Sequence, residues 1–118
     1  MHADGLSSAT QKRAKPAVVA AAMALADGEE VTGFVCGQFM GEDGVAVLTD
    51  RRVLCINGRT FAPDQDSIGL GELTDVKGWI EGNRATLQIT GGGHALVVGD
   101  IREVESAQKF AGDLRSHL

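Results

Sequence analysis

Between residues 31 and 98 the chain is a succession of seven short apolar runs, at 31–40, 45–49, 52–56, 67–70, 73–80, 84–90 and 94–98. Turn signals stand between them: Gly41-Glu42-Asp43-Gly44, Asn57-Gly58, Pro63-Asp64-Gln65-Asp66, Glu81-Gly82-Asn83 and Gly91-Gly92-Gly93. Strands joined by connections this short have no crossover helices, so they must pair antiparallel. The run 84–90 shows the pattern most clearly, with Ala85, Leu87 and Ile89 alternating against Thr86, Gln88 and Thr90, one face buried and one wet. Asn57-Gly58 is the strongest two-residue hairpin signal in the chain. Sixteen glycines are roughly double the ordinary share and carry no repeat register, as expected of a chain with many turns and bulges.

The period becomes helical from Ile101. Ile101, Val104, Ala107, Ala111, Leu114 and Leu118 fall on one stripe, and Arg102, Glu103, Glu105, Lys109, Asp113 and Arg115 on the other. Asp100 with Glu103 three residues on predicts an N-cap of the capping-box kind. Ahead of the strands, Val18, Val19, Ala22, Met23 and Ala26 predict a helix over 15–27, with Pro16 in its first turn and Asp27-Gly28 ending it. Residues 1–14, polar and aperiodic, are expected to be a flexible tail. Open sheet edges invite aggregation, and curling removes most of them. The expected fold is therefore mainly β (α+β). A bent antiparallel barrel of about seven strands spans 28–118, a C-terminal helix plugs one end, and an extra N-terminal helix precedes it.

Seven strands closed by one helix is also the pleckstrin-homology (PH) arrangement. Residues 44–54, GVAVLTDRRVL, resemble the hairpin between the second and third strands of bacterial PH-like and GRAM-type domains. Gly28-Glu29-Glu30-Val31 is similar to the opening of the first strand in those families, and Ile68-Gly69-Leu70 with Leu73-Thr74-Asp75-Val76 to the stretch entering the fifth. Gly69 stands where those families commonly carry proline. The resemblance covers about residues 28–117 and implies a binding domain, often oligomeric in bacteria.

The charged knot Thr49-Asp50-Arg51-Arg52 has a simple explanation as a turn signature. Thr49 and Asp50 can fold their oxygens onto nearby backbone N–H groups, and Arg52 can reach Asp50 or a carbonyl at the barrel rim. The functional alternative is an anionic-ligand surface made by Arg51, Arg52 and Arg59. Lipid-binding PH-like domains use a basic mouth beside the first strands. Here the corresponding loop, Phe-Met-Gly-Glu-Asp-Gly, is acidic, which argues against inositol phosphate at that place.

Net charge of -5 is the wrong sign for a nucleic-acid binder and disfavours attachment to anionic lipid. Lys12, Arg13 and Lys15 form the one dense basic group and are expected to be solvated. Cys36 and Cys55 read as buried free thiols. With His2, His94 and His117 scattered, no metal site and no cofactor is implied. No catalytic set has a recognisable local context. Glu29-Glu30 and Asp64 with Asp66 fall at turns, and Cys55 with His94 lacks an orienting partner. Gly91-Gly92-Gly93 precede a strand and so present no helix N-terminus to phosphate, and Trp79 is expected in the core. The Ala-rich stretch 17–26 is too short to span a membrane and reads as a packed helix more readily than a signal peptide, so the cytoplasm is the expected location.

Strand parity adds one more inference. Val45 and Val47 oppose Ala46 and Leu48, Val53 and Cys55 oppose Leu54 and Ile56, and Val31 and Val35 oppose Phe34 and Cys36. Both faces of the central strands are therefore apolar, and something must cover the outer one. The N-terminal helix is one cover, packed in cis or swapped, and a second copy is another. Val18, Val19, Ala22 and Met23 are the expected packing or oligomer surface. The expected function is non-catalytic, a homo-oligomeric binding or assembly module acting through protein–protein contacts with itself, an unidentified protein, or both. A peripheral membrane or phospholipid-binding adaptor is the runner-up.

Overall fold

The computed structural model describes residues 8–118. Helix α1 (Ser8–Ala24) leads into β1 (Val31–Phe39), β2 (Glu42–Thr49), β3 (Arg52–Asn57) and β4 (Gln65–Gly69). A 3-10 turn at Leu70–Glu72 rounds the corner into β5 (Leu73–Glu81), β6 (Arg84–Gly91), β7 (His94–Ile101) and helix α2 (Val104–Arg115). The strands form one seven-stranded antiparallel sheet in the order β4-β3-β2-β1-β7-β6-β5. The sheet bends without closing, because β4 and β5 remain unpaired edges. The arrangement of strands and C-terminal helix is PH-like.

One buried cluster draws on every strand and on α2, from Val35 and Leu48 through Ile68, Val76 and Ile89 to Val98, Phe110 and Leu114. The halves of the sheet meet at a single β1–β7 pair, Gln38 with Gly99. A Cβ at Gly37 would lie 2.5 Å from the Gly99 carbonyl oxygen, so only glycine allows the crossing at that point. Beyond it β1 and β7 diverge, and Phe110 of α2 fills the gap against Gly33.

A second, smaller cluster lies on the other side of β1–β3, where Ala14, Ala17 and Ala21 of α1 cover Cys36, Val45, Val47 and Ile56. The outer apolar face inferred from parity exists, and α1 covers it in cis. Alanine at these positions lets the helix axis approach closely. Val31 departs from the expected parity: a register shift between Val31 and Gly33 turns it to the α1 side with Phe34.

Three local expectations are corrected. Helix α1 begins at Ser8 and carries Pro16 in its interior, so residues 8–14 are helix, while the tail expected over 1–7 lies outside the described residues. The alanine contacts sustain the helix across the proline. Asp100 does not cap α2: β7 runs through it at φ 50°, its carboxylate pairs with Arg84 at 3.0 Å, and the helix starts three residues after Ile101. Glu103 likewise makes no cap and instead accepts a hydrogen bond from Thr10 of α1 at 2.9 Å. Asn57-Gly58 forms no two-residue hairpin, because β4 begins only at Gln65.

Candidate functional site

The Thr49–Arg52 corner is a turn, and it is also the receptor for the α1–β1 connection. Thr49 Oγ accepts from the backbone N–H groups of Arg51 at 3.1 Å and Arg52 at 3.0 Å, closing the corner as expected of an ST turn. Its hydroxyl donates to Glu29 at 2.7 Å. Asp50 folds outward, accepting the Glu30 N–H at 2.9 Å through its carboxylate while its own N–H donates to the Glu30 carbonyl at 2.9 Å.

Arg52 does not pair with Asp50 but turns back to the exit of α1. Its Nε and Nη2 grip both Glu29 oxygens, at 2.9 and 3.0 Å, and Nη2 also donates to the last carbonyl of α1, Ala24, at 3.0 Å. The Ala26 N–H adds a fourth bond to Glu29, at 3.0 Å. The Glu29 side chain is 1% exposed and that of Arg52 26%. The Arg52 guanidinium beside Glu29 holds its carboxyl down at about 2, against the opposing effect of burial. Arg51, exposed, donates to the Asp27 carbonyl at 3.4 Å.

The proposed anion surface of Arg51, Arg52 and Arg59 is not assembled. Arg51 precedes β3, Arg52 is its first residue and Arg59 follows it, so roughly 20 Å of strand separates them. Arg59 is bound locally to Asp64 at 2.9 Å and to the Met40 carbonyl at 3.2 Å. The buried Asn57 organises that loop through both ends of its amide, and together with Arg59 it lowers the Asp64 carboxyl below its usual range. Sequence reading missed Glu29 as the partner of Arg52, and its available signal was the Gly28-Glu29 step at the helix exit.

The enzyme-like pairings also come apart. Cys55 lies in the core, its thiol pushed up to about 12 by burial, whereas His94 is exposed and faces Asp66 at 3.2 Å. Glu29 is locked in the corner while Glu30 is exposed. Among the described residues no cluster of three or more His, Cys, Asp or Glu is placed to hold a metal, and no helix is long and apolar enough to cross a membrane.

Two surfaces remain unspent. On α1, Val18 packs partly inward while Ala22, Val19 at 51% and Met23 at 83% exposure face outward. Sequence spacing had grouped these four, and the structure shows that the true packing stripe is Ala14, Ala17 and Ala21.

The second surface is a groove of about 310 Å³ between β5 and α2, where apolar residues such as Gly78, Ile80, Leu87 and Ala107 are joined by the polar Gln108 and Arg115. Trp79 stands at its border, 42% exposed and not in the core as expected. β5 is a sheet edge paired only with β6, and the Arg115 guanidinium covers its Val76 carbonyl with bonds of 3.3 and 3.2 Å.

Compared with known proteins, the chain matches no family model, no curated protein and no solved structure.

Proposed function

We propose that this chain is a non-catalytic PH-like binding and assembly module that acts through protein–protein contacts. The observation that carries the reading is the β5–α2 groove. Its floor sets Gly78, Ala85, Ala107 and Ala111 beside Ile80 and Leu87, with Thr86, Gln108 and Arg115 as polar neighbours, and it runs beside the outer edge of β5, whose residues 77–81 pair with β6 on their other side alone. An unpaired edge next to an apolar slot suits an extended partner segment, which adds a strand and seats one large apolar side chain. Gly78 keeps the slot open on the strand side. Self-association belongs to the same reading, since α1 leaves an apolar stripe exposed after covering the sheet.

Selection of displayed random peptides on the purified chain tests this, with fluorescence of Trp79, the single tryptophan, as the reporter. Selected peptides should share one large apolar residue and shift the Trp79 emission on binding. Gly78→Val, whose Cβ would meet the buried Leu87 side chain at 3.0 Å and the Thr86 carbonyl oxygen at 3.6 Å, should fill the slot and weaken peptide binding at least about tenfold, with circular dichroism checking that the fold is kept. Peptides that bind without perturbing Trp79, and equally well to Gly78→Val, would overturn the groove as the binding surface.

A further inference from the structure

The outward stripe of α1 has a definite composition. Lys12, Pro16, Val19 and Met23 recur at spacings of four, three and four, with Ala26 three residues further on. On a helix of 3.6 residues per turn positions 12, 16, 19 and 23 lie opposite Thr10, Ala14, Ala17 and Ala21, the residues α1 buries; Pro16 is also flanked by Gly58, and Ala26 stands two residues past the end of the helix. The centre of the stripe is apolar. The charges sit at its ends: Lys12 and Lys15 toward the N-terminus, and past the C-terminus Asp27 and Glu30, joined there by Asp50 on the Glu30 N–H and by Arg51 on the Asp27 carbonyl, which leaves that end net acidic. Among the described residues none of these four side chains makes an ion pair, whereas six Lys or Arg pairs with carboxylates form elsewhere in the fold.

We propose that this face is a self-association seam, occupied by the same face of a second copy, with the two α1 helices antiparallel about a two-fold axis at Val19. This deepens the reading above and rests on it, since it names one of the partners. The choice of occupant follows from charge. Within the helix of a two-fold pair residue 19 − k lies opposite residue 19 + k, so Val19 meets Val19 and Lys15 lays its stem over Met23, while the counterpart of Lys12 falls past Ala24, on the turn of the other copy that carries Asp27 and Glu30. Each basic end thus meets the acidic end of the other copy, twice per dimer.

A parallel pair would set Lys12 against Lys12 and Asp27 against Asp27. An acidic partner would match only the N-terminal end, and an anionic membrane would be repelled by Asp27 and Glu30. The seam is as short as the helix, 17 residues or about 25 Å, so it buries less than a permanent dimer does and the association is reversible.

Sedimentation velocity of the full chain across a concentration series tests the seam. The wild type should show a concentration-dependent monomer–dimer equilibrium. Lys12→Glu with Lys15→Glu, and separately Asp27→Lys with Glu30→Lys, should each raise the dimer dissociation constant at least about tenfold. An equimolar mixture of the two variants should form a heterodimer of near wild-type affinity, because the opposite ends again match. Val19→Asp, an exposed change at the axis, should abolish dimerisation by itself.

A wild type that stays monomeric throughout would overturn the proposal. So would charge variants that dimerise undiminished, or a mixture that fails to recover. Peptide binding at the β5–α2 groove, read by Trp79 in the same variants, separates the two claims. Retained binding with a failed seam removes the seam alone, and loss of both removes the binding-module reading with it.

Discussion

Glu29→Gln is expected to lower stability by about 3 kcal/mol, a fall in melting temperature of roughly 10–15 °C for a domain of this size. The substitution keeps the shape of the side chain and removes its charge, leaving the Arg52 guanidinium three-quarters buried without a counter-ion. Arg52 would keep its bond to the Ala24 carbonyl but lose the one carboxylate it grips with two nitrogens. Acid should act on the same group. The folded-state pKa of Glu29 is about 2, below its ordinary 4.5, so between those values the unfolded chain binds the proton more readily. The stabilisation, about 3 kcal/mol, is complete above pH 4.5 and is lost as pH falls toward 2. Thermal melts of wild type and Glu29→Gln between pH 7 and 2 should therefore converge at the acid end. Parallel curves would mean that the ion pair contributes no net stability.

The second large effect is expected at Asn57. Its side chain is fully buried and uses its whole hydrogen-bonding capacity. Nδ2 donates to the Phe39 carbonyl at 3.0 Å and to the Asp64 carboxylate at 2.8 Å. Oδ1 accepts from the backbone N–H groups of Arg59 at 3.2 Å and Asp64 at 2.9 Å. Asn57→Ala strands several of these groups at once and should cost about 3 kcal/mol in denaturant unfolding, with the fastest rise in amide exchange over residues 58–64. Asn57→Asp should be no milder, because a second carboxylate would face Asp64. A cost below about 1 kcal/mol for both would show that the loop holds its course without this side chain.

Why Asn57 read as a hairpin, and Arg52 as a rim residue, has one physical origin. Alternation, turn residues and the 3.6 period are local, and the elements that depend on them were legible: seven strands, the α2 stripe from Val104 to Leu114 (Ile101 instead ends β7, and Leu118 is exposed past the helix), the ST turn at Thr49 and the two apolar faces of β1–β3. Partners far apart in the chain leave no such trace. Glu29 lies 23 residues before Arg52, and Thr10 lies 93 before Glu103. The N-terminal helix was misplaced for a related reason. Pro16 weighs locally as a start signal, but the alanines on either side of it are held by Val45, Val47 and Ile56, and that tertiary contact carries the helix across the proline. The groove was hidden because it is made by what β5 and α2 leave unfilled.

The two thiols give this fold a pair of internal clocks. Cys36 lies in the layer beneath α1, and Cys55 lies on the opposite side of the sheet in the main core. They cannot meet, so oxidation does not staple the chain. Burial pushes both thiols up to about 12, which keeps them unreactive while covered. Lifting α1 from the sheet uncovers Cys36 and leaves Cys55 enclosed, whereas global unfolding releases both. The ratio of their alkylation rates therefore measures how independently the N-terminal helix detaches from the domain it covers.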